Sequence, residues 1–167
     1  MEAIIDAANA DGVEIDAILA ENDSTALGVV AALQAKGYDP VPVSGQDGDQ
    51  GNLQNVAAGW QYVDVWKDSN QLGKVAGAAA LQLCEGVAME DLVIPEGLMP
   101  DSVVPSAGAQ AAAFETPGGN SVTSFILQPT PITQENLNLV VDAGWIDQDV
   151  LCEQATDAAM AAPICSE

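Results

Sequence analysis

Asn22, Asp47 and Lys67 are the residues of this sequence best placed to do chemistry. Each lies just past a short run with the composition of a strand: Ile15 to Leu19, Val41 to Ser44, and Gln61 to Trp66. In open parallel α/β sheets, ligands collect beyond the carboxyl ends of the strands. The three side chains complement one another, because an Asn amide donates and accepts, a carboxylate only accepts, and an ammonium only donates. Such a set matches the hydroxyls of a sugar or small polyol, each of which does both. Taken singly, each residue has an ordinary reading: Asn22 as a turn residue, Asp47 as a loop carboxylate, Lys67 as a solvated cation. Their joint placement, in a chain whose Lys plus Arg total is only 3, favours the ligand reading.

Other chemistries are closed off. With His at 0, Ser-His-Asp and Cys-His constellations and His-rich zinc sites are excluded. No nucleophile and base pair stands out, so no enzyme is expected, and neither a P-loop nor a dinucleotide glycine fingerprint calls for a cofactor. Asp47-Gly48-Asp49 opens like a calcium loop, but Gly51 occupies an oxygen-ligand position and Ala58 the place of the closing Glu. Trp66 stands beside Lys67 and could stack on a sugar face; Trp60, Trp66 and Trp145 nevertheless read first as core or interface residues.

The elements that must position these residues follow from periodicity. Glu2 to Ala10 reads as a helix closed by Gly12, and Thr25 to Lys36 as a helix capped by Asp23 or Ser24 and stopped by Gly37. A helix from about Asn52 to Ala58 follows the second strand, and a longer one from about Asn70 to Cys84 follows the third. Strands and helices alternating over short loops predict an α/β fold with a Rossmann-like parallel sheet flanked by helices. From Gly86 to Asn120 no period is sustained, with short strands expected near Leu92 to Ile94 and Ser102 to Val104. Val122 to Leu127 is a strand candidate, Pro129 and Pro131 enforce an extended passage, and Thr133 is expected to cap a helix that Gly144 ends. Beyond Asp149 a tail is expected.

Composition bounds the partners. The 167 residues carry 25 Asp plus Glu and a formal net charge of −22, which repels phosphate backbones and anionic lipid. No nucleic-acid partner is expected, and the spread of carboxylates reads as a solvated surface. The apolar stretch around Val75 to Leu83 is far short of a membrane span, and no signal peptide follows Met1, so the chain as given would be cytosolic or already processed. Of the 3 cysteines, Cys152 and Cys165 flank the tail and are spaced for a local bridge, which would mean an oxidising compartment. Cys84 reads as a small buried hydrophobe.

Four runs resemble a known family in order and approximate spacing: Ile18-Leu19-Ala20-Glu21-Asn22-Asp23-Ser24-Thr25-Ala26-Leu27-Gly28, Val43-Ser44-Gly45-Gln46-Asp47-Gly48-Asp49, Val65-Trp66-Lys67, and Ile126-Leu127-Gln128-Pro129-Thr130-Pro131-Ile132-Thr133. They resemble the xylose-binding branch of bacterial ABC-transporter sugar-binding proteins, which are periplasmic binding proteins of type I. The resemblance implies two Rossmann-like lobes closing over a monosaccharide, a non-enzymatic role in uptake of xylose or a similar pentose, an ABC permease as membrane partner, and an extracytoplasmic location. In that pattern the sugar is held by the Asn of the Asn-Asp motif, the Asp of the Gly-Gln-Asp motif and the Lys after the next strand. These fall on Asn22, Asp47 and Lys67, and Gln46 of the same motif joins them. The Lys resembles the xylose-type pattern rather than the ribose-type one, where an amide stands.

The resemblance begins about halfway along a family member. It therefore implies that residues 1–151 are the C-terminal part of a two-lobed protein, with 69–120 corresponding to first-lobe elements and 152–167 an acidic tail. Partnership is then expected with a missing N-terminal half or through self-association, and half a cleft should bind sugar weakly. The alternative is a self-assembling structural or interaction module built from an incomplete lobe. The effector domain of a sugar-responsive repressor shares the fold, but no DNA-binding segment is present and the charge is wrong for one.

Overall fold

The computed structural model describes residues 1–98 and 110–166. In chain order the elements are α1 (Glu2–Asp11), α2 (Asp23–Ala35), β1 (Ser44–Asp47), α3 (Gln50–Ala57), β2 (Val63–Trp66), α4 (Ser69–Cys84), β3 (Ala112–Glu115), β4 (Ser121–Ser124), β5 (Thr130–Ile132), α5 (Asn138–Asp142) and α6 (Gln148–Leu151). They fall into two units. Met1–Lys67 with the chain from Thr130 onward forms the first, and Asp68–Pro129 the second.

The sheet of the first unit has the order β1-β2-β5. β1 and β2 are parallel, with Ser44 opposite Val63 and Asp47 opposite Trp66. The parallel sheet flanked by helices is present, with one antiparallel addition: β5 runs antiparallel to β2 and sets Pro131 opposite Val65. An edge strand tolerates proline because its outer face needs no N–H donor.

β1 also lies later than expected. Pro40 and Pro42 have no N–H to give a ladder, so regular pairing starts at Ser44 and runs into the Gly-Gln-Asp motif itself. The strand expected over residues 15–19 is reduced to one parallel bridge, Ile18 to Val43. Its continuation is cut by a side chain: the Ser44 hydroxyl accepts from Ala20 N at 3.0 Å and donates to Ala20 O at 2.9 Å.

Two apolar clusters hold this unit together. Ile5 of α1 packs with Ala26, Val29, Ala32 and Leu33 of α2 and with Val43. Leu53 and Val56 of α3 pack with Trp66, Ile132, Leu137, Val140 and Leu151. Thr133 does not cap a helix. Its N–H donates to Asn136 Oδ1 at 2.7 Å in a turn, and α5 begins only at Asn138. Residues 152–166 are laid against the body: Ala162 is fully buried, its N–H donates to Ala57 O at 2.8 Å, and Cys152 is bridged to Cys165.

In the second unit α4 is capped by Asp68, whose Oδ1 accepts from Asn70 N at 2.9 Å and Gln71 N at 3.2 Å. Val75 and Ile94 are its buried cluster, with Leu98, Phe125 and Leu127 packed around them. So small a core leaves most of α4 uncovered, and Cys84 is exposed rather than buried. Gln82 brackets Val93, accepting from its N at 3.0 Å and donating to its O at 2.7 Å. The strand expected near Leu92 to Ile94 is a single bridge, Val93 to Gln110, and the one expected near Ser102 to Val104 lies outside the described residues. The strand expected over Val122 to Leu127 is β4, which ends at Ser124, and it pairs with β3, a strand that the irregular composition of residues 86–120 concealed.

Candidate functional site

The parallel register of β1 and β2 ends the two strands side by side. Asp47, the last residue of β1, and Lys67, the first after β2, meet in an ion pair with Nζ to Oδ1 at 2.7 Å. Their side chains remain 40% and 41% exposed, so both keep hydrogen-bonding capacity for a ligand. A pair this open to water contributes at most about 1 kcal/mol to stability. Asp47 is also the one non-glycine residue with positive φ among the described residues, at 130°. Such backbone strain costs about 1–3 kcal/mol and persists where the surroundings enforce it, as functional sites do.

Asn22 sits at the same end of the sheet as the N-cap of α2. Its Oδ1 accepts from Thr25 N and Ser24 Oγ, both at 3.0 Å. Gln46 reaches toward that turn, its Nε2 donating to Glu21 O at 3.3 Å. Among the described residues, the Nδ2 of Asn22 and the Oε1 of Gln46 have no partner. Thus Asp47 and Lys67 touch directly, and Gln46 joins them to the Asn22 turn.

What the sequence reasoning missed lies beneath. Asp23, the first residue of α2, and Asp64, in the middle of β2, are fully buried. Asp23 Oδ2 accepts from Gly48 N at 2.9 Å and Asp49 N at 2.7 Å, tying the start of α2 to the turn after β1. Asp23 Oδ1 and both oxygens of Asp64 have no well-formed bond from any fixed donor, and the two side chains bond to each other. Two carboxylates cannot do this without a proton between them. Burial raises Asp23 above the ordinary carboxylate range, opposed by the Asp49 and Gly48 N–H groups. Burial, and after it the charge of Asp23, pushes Asp64 up to about 8. Asn52 closes this layer, donating to Asp23 O at 3.2 Å and to Gln61 Oε1 at 2.9 Å. A carboxylate between Val63 and Val65 in a strand was the available signal.

Gly48 is gripped on three sides. Besides its N–H bond to Asp23, its carbonyl accepts from Trp145 Nε1 at 2.7 Å, and its φ is +89°. A Cβ there would stand 2.4 Å from Trp66 Cδ1. Trp66 is itself buried, edge-on to Trp145 with centroids 5.6 Å apart, so it is a support of the turn rather than a free stacking surface. Gly45 is equally constrained, because a Cβ would meet Gln61 Nε2 at 2.3 Å and Asp23 Oδ1 at 2.5 Å.

The sequence profile of the family described as periplasmic binding protein domain matches residues 1–88. The chain belongs to this family. Among curated relatives, the "D-xylose-binding periplasmic protein" of Escherichia coli (strain K12) is 40% identical over 81 residues, covering 48% of this chain and 24% of that protein. The "Putative rhizopine-binding protein" of Rhizobium meliloti is 41% identical over 81 residues, 47% of this chain and 26% of the relative. The fold has solved counterparts. A carbohydrate transporter solute binding protein from Chloroflexus aurantiacus, in complex with D-glucose, superposes with a TM-score of 0.68 at 24% identity, covering 89% of this chain and 38% of that one. An ABC transporter solute binding protein from Clostridium phytofermentans with bound β-D-glucose gives a TM-score of 0.66 at 29% identity, covering 90% and 41%. This periplasmic binding protein domain spans well under half the length of the relatives it matches.

Proposed function

We propose that the chain is the sugar-contacting part of an ABC-transporter solute-binding protein, taking a monosaccharide of the pentose class such as xylose. The observation that carries this is the half-exposed Asp47–Lys67 pair at adjoining strand ends, held on a strained backbone, at the same end of the sheet as Asn22 Nδ2 and Gln46 Oε1, which are unengaged among the described residues. In this reading Asp47 accepts from one or two ring hydroxyls, Lys67 donates to another, and the amides of Asn22 and Gln46 take whichever role a hydroxyl leaves open. No bond is made or broken. The D-xylose-binding name of the Escherichia coli relative and the β-D-glucose in the Clostridium phytofermentans structure support a monosaccharide ligand. The Cys152–Cys165 bridge supports an oxidising, extracytoplasmic setting. The partner that this role implies is an ABC permease. The test is calorimetric titration of the chain with D-xylose and D-glucose, repeated on Asp47→Ala. Saturable heat that the substitution abolishes is expected; equal binding by wild type and Asp47→Ala would refute the site.

A second reading, a self-assembling module, is favoured by Ile4, Val13 and Leu19, large apolar residues 62%, 58% and 87% exposed in the first unit. Light scattering on the sugar-free chain separates it, since a defined multimer is expected only there.

A further inference from the structure

We propose that Asp23 and Asp64 are positioning residues: they share a single proton, and this contact holds the turns bearing Asn22 and Asp47 in place, so that loss of the proton weakens sugar binding. The inference rests on the functional reading above for its ligand, but its structural half stands apart from it.

The geometry is that of a strut. Asp23 follows Asn22 directly in sequence, and its Oδ2 takes the N–H groups of Gly48 and Asp49, the two residues after Asp47. One carboxylate therefore fixes both turns at the sheet end. Its other oxygen is buried against Asp64 on β2, whose oxygens accept no well-formed hydrogen bond from a fixed donor among the described residues. With the proton in place, the Asp23–Asp64 contact is a strong hydrogen bond in a dry environment. Without it, two buried negative charges face one another, and the cheapest relief is for the Asp23 turn to move outward.

The surroundings compensate only in part. The Asp49 and Gly48 N–H groups lower Asp23, and the Gly48 N–H lowers Asp64, but both lose to burial, and the carboxylate charge of Asp49, in the turn before α3, raises both. α3 and the start of β2 present the neutral Asn52 and Gln61. At the end of β1, Asp47 is paired with Lys67, and both are partly exposed to solvent rather than turned to the buried carboxyls. The pair therefore loses its proton as one coupled system near the alkaline end of the physiological range.

The test is sugar affinity from about pH 6 to about pH 9.5 for wild type and Asp64→Asn, in parallel with NMR of the Gly48 and Asp49 amides on the sugar-free chain. The Asn amide preserves a donor toward Asp23 and cannot titrate. Wild-type affinity is expected to fall about tenfold per pH unit above the pair's titration, the full linkage of one proton. Asp64→Asn is expected to bind with a flat profile. A flat wild-type profile, or an unchanged slope in Asp64→Asn, overturns the proposal. Should Asp64→Asn fail to fold, the wild-type amides decide: both should shift with one alkaline midpoint, and amides that stay still refute the strut. If the wild type binds no sugar at any pH, the functional reading fails, and the strut is judged on the amides alone.

Discussion

Replacing Gly48 by alanine puts one methyl group where the structure has no room. The new Cβ would lie 2.4 Å from Trp66 Cδ1 and 3.2 Å from its Cγ, well inside contact distance. Trp66 is 7% exposed and backed by Trp145 at 5.6 Å, so the ring has nowhere to retreat. Overpacking of this kind costs about 1–3 kcal/mol. A φ of +89° adds about 1–2 kcal/mol for any residue with a Cβ. The expected loss is therefore about 2–5 kcal/mol, read as a lower urea midpoint followed by tryptophan fluorescence. Gly28, inside α2 and with nothing within 4 Å of a built Cβ, is the matched control. Gly28→Ala should stabilise by about 0.5–1 kcal/mol through helix propensity. If Gly48→Ala unfolds within about 0.5 kcal/mol of wild type, the gripped turn is not a constraint and the reasoning fails.

Removing the Cys152–Cys165 bridge by double alanine substitution opens a loop with a sequence separation of 13 and should cost about 3 kcal/mol in chemical denaturation; no change would mean the segment is held without it. Asp64 gives a pH signature whose sign is fixed by its raised value. The folded state holds a proton that the unfolded chain releases near pH 4, so the stabilisation is complete below that and is lost as pH rises toward about 8. Denaturation midpoints should thus fall with pH over this interval by up to about 1.4 kcal/mol per unit, and Asp64→Asn should flatten that component.

The helices were legible because their signals are local. α2 shows apolar spacing and the stop at Gly37, although its cap is Asn22, one residue before the Asp23 or Ser24 expected, and α4 is close to the predicted span. The ends of strands were not, because a ladder depends on a neighbour. β1 begins where the prolines stop and the segment around Ile18 ends where a serine side chain takes over its peptide groups. The antiparallel β5 had no three-residue signature that could distinguish a strand from an extended linker. At the site, Asp47 and Lys67 were readable as strand-end residues, whereas the Asp23–Asp64 contact joins α2 to β2, positions that meet only through the packing of α2 on the sheet. Cys84 was misjudged because helix length says nothing of how much core a helix finds to cover.

The Ser44 hydroxyl determines where the Asn22 turn departs. By satisfying both peptide groups of Ala20, it lets the chain leave the sheet at a buried residue without stranding a donor or an acceptor. The departure point is therefore defined by a side chain on the neighbouring strand, not by the leaving segment's own residues. That makes the placement of Asn22 and Asp47 a matter of arithmetic along the chain: one residue, Glu21, separates Ala20 from Asn22, and two, Gly45 and Gln46, separate Ser44 from Asp47. An insertion on either side of that anchor would slide one turn past the other while leaving both helices intact. The site is thus sensitive to chain length between Ala20 and Asn22 in a way that the helix surfaces of α1 and α2 are not.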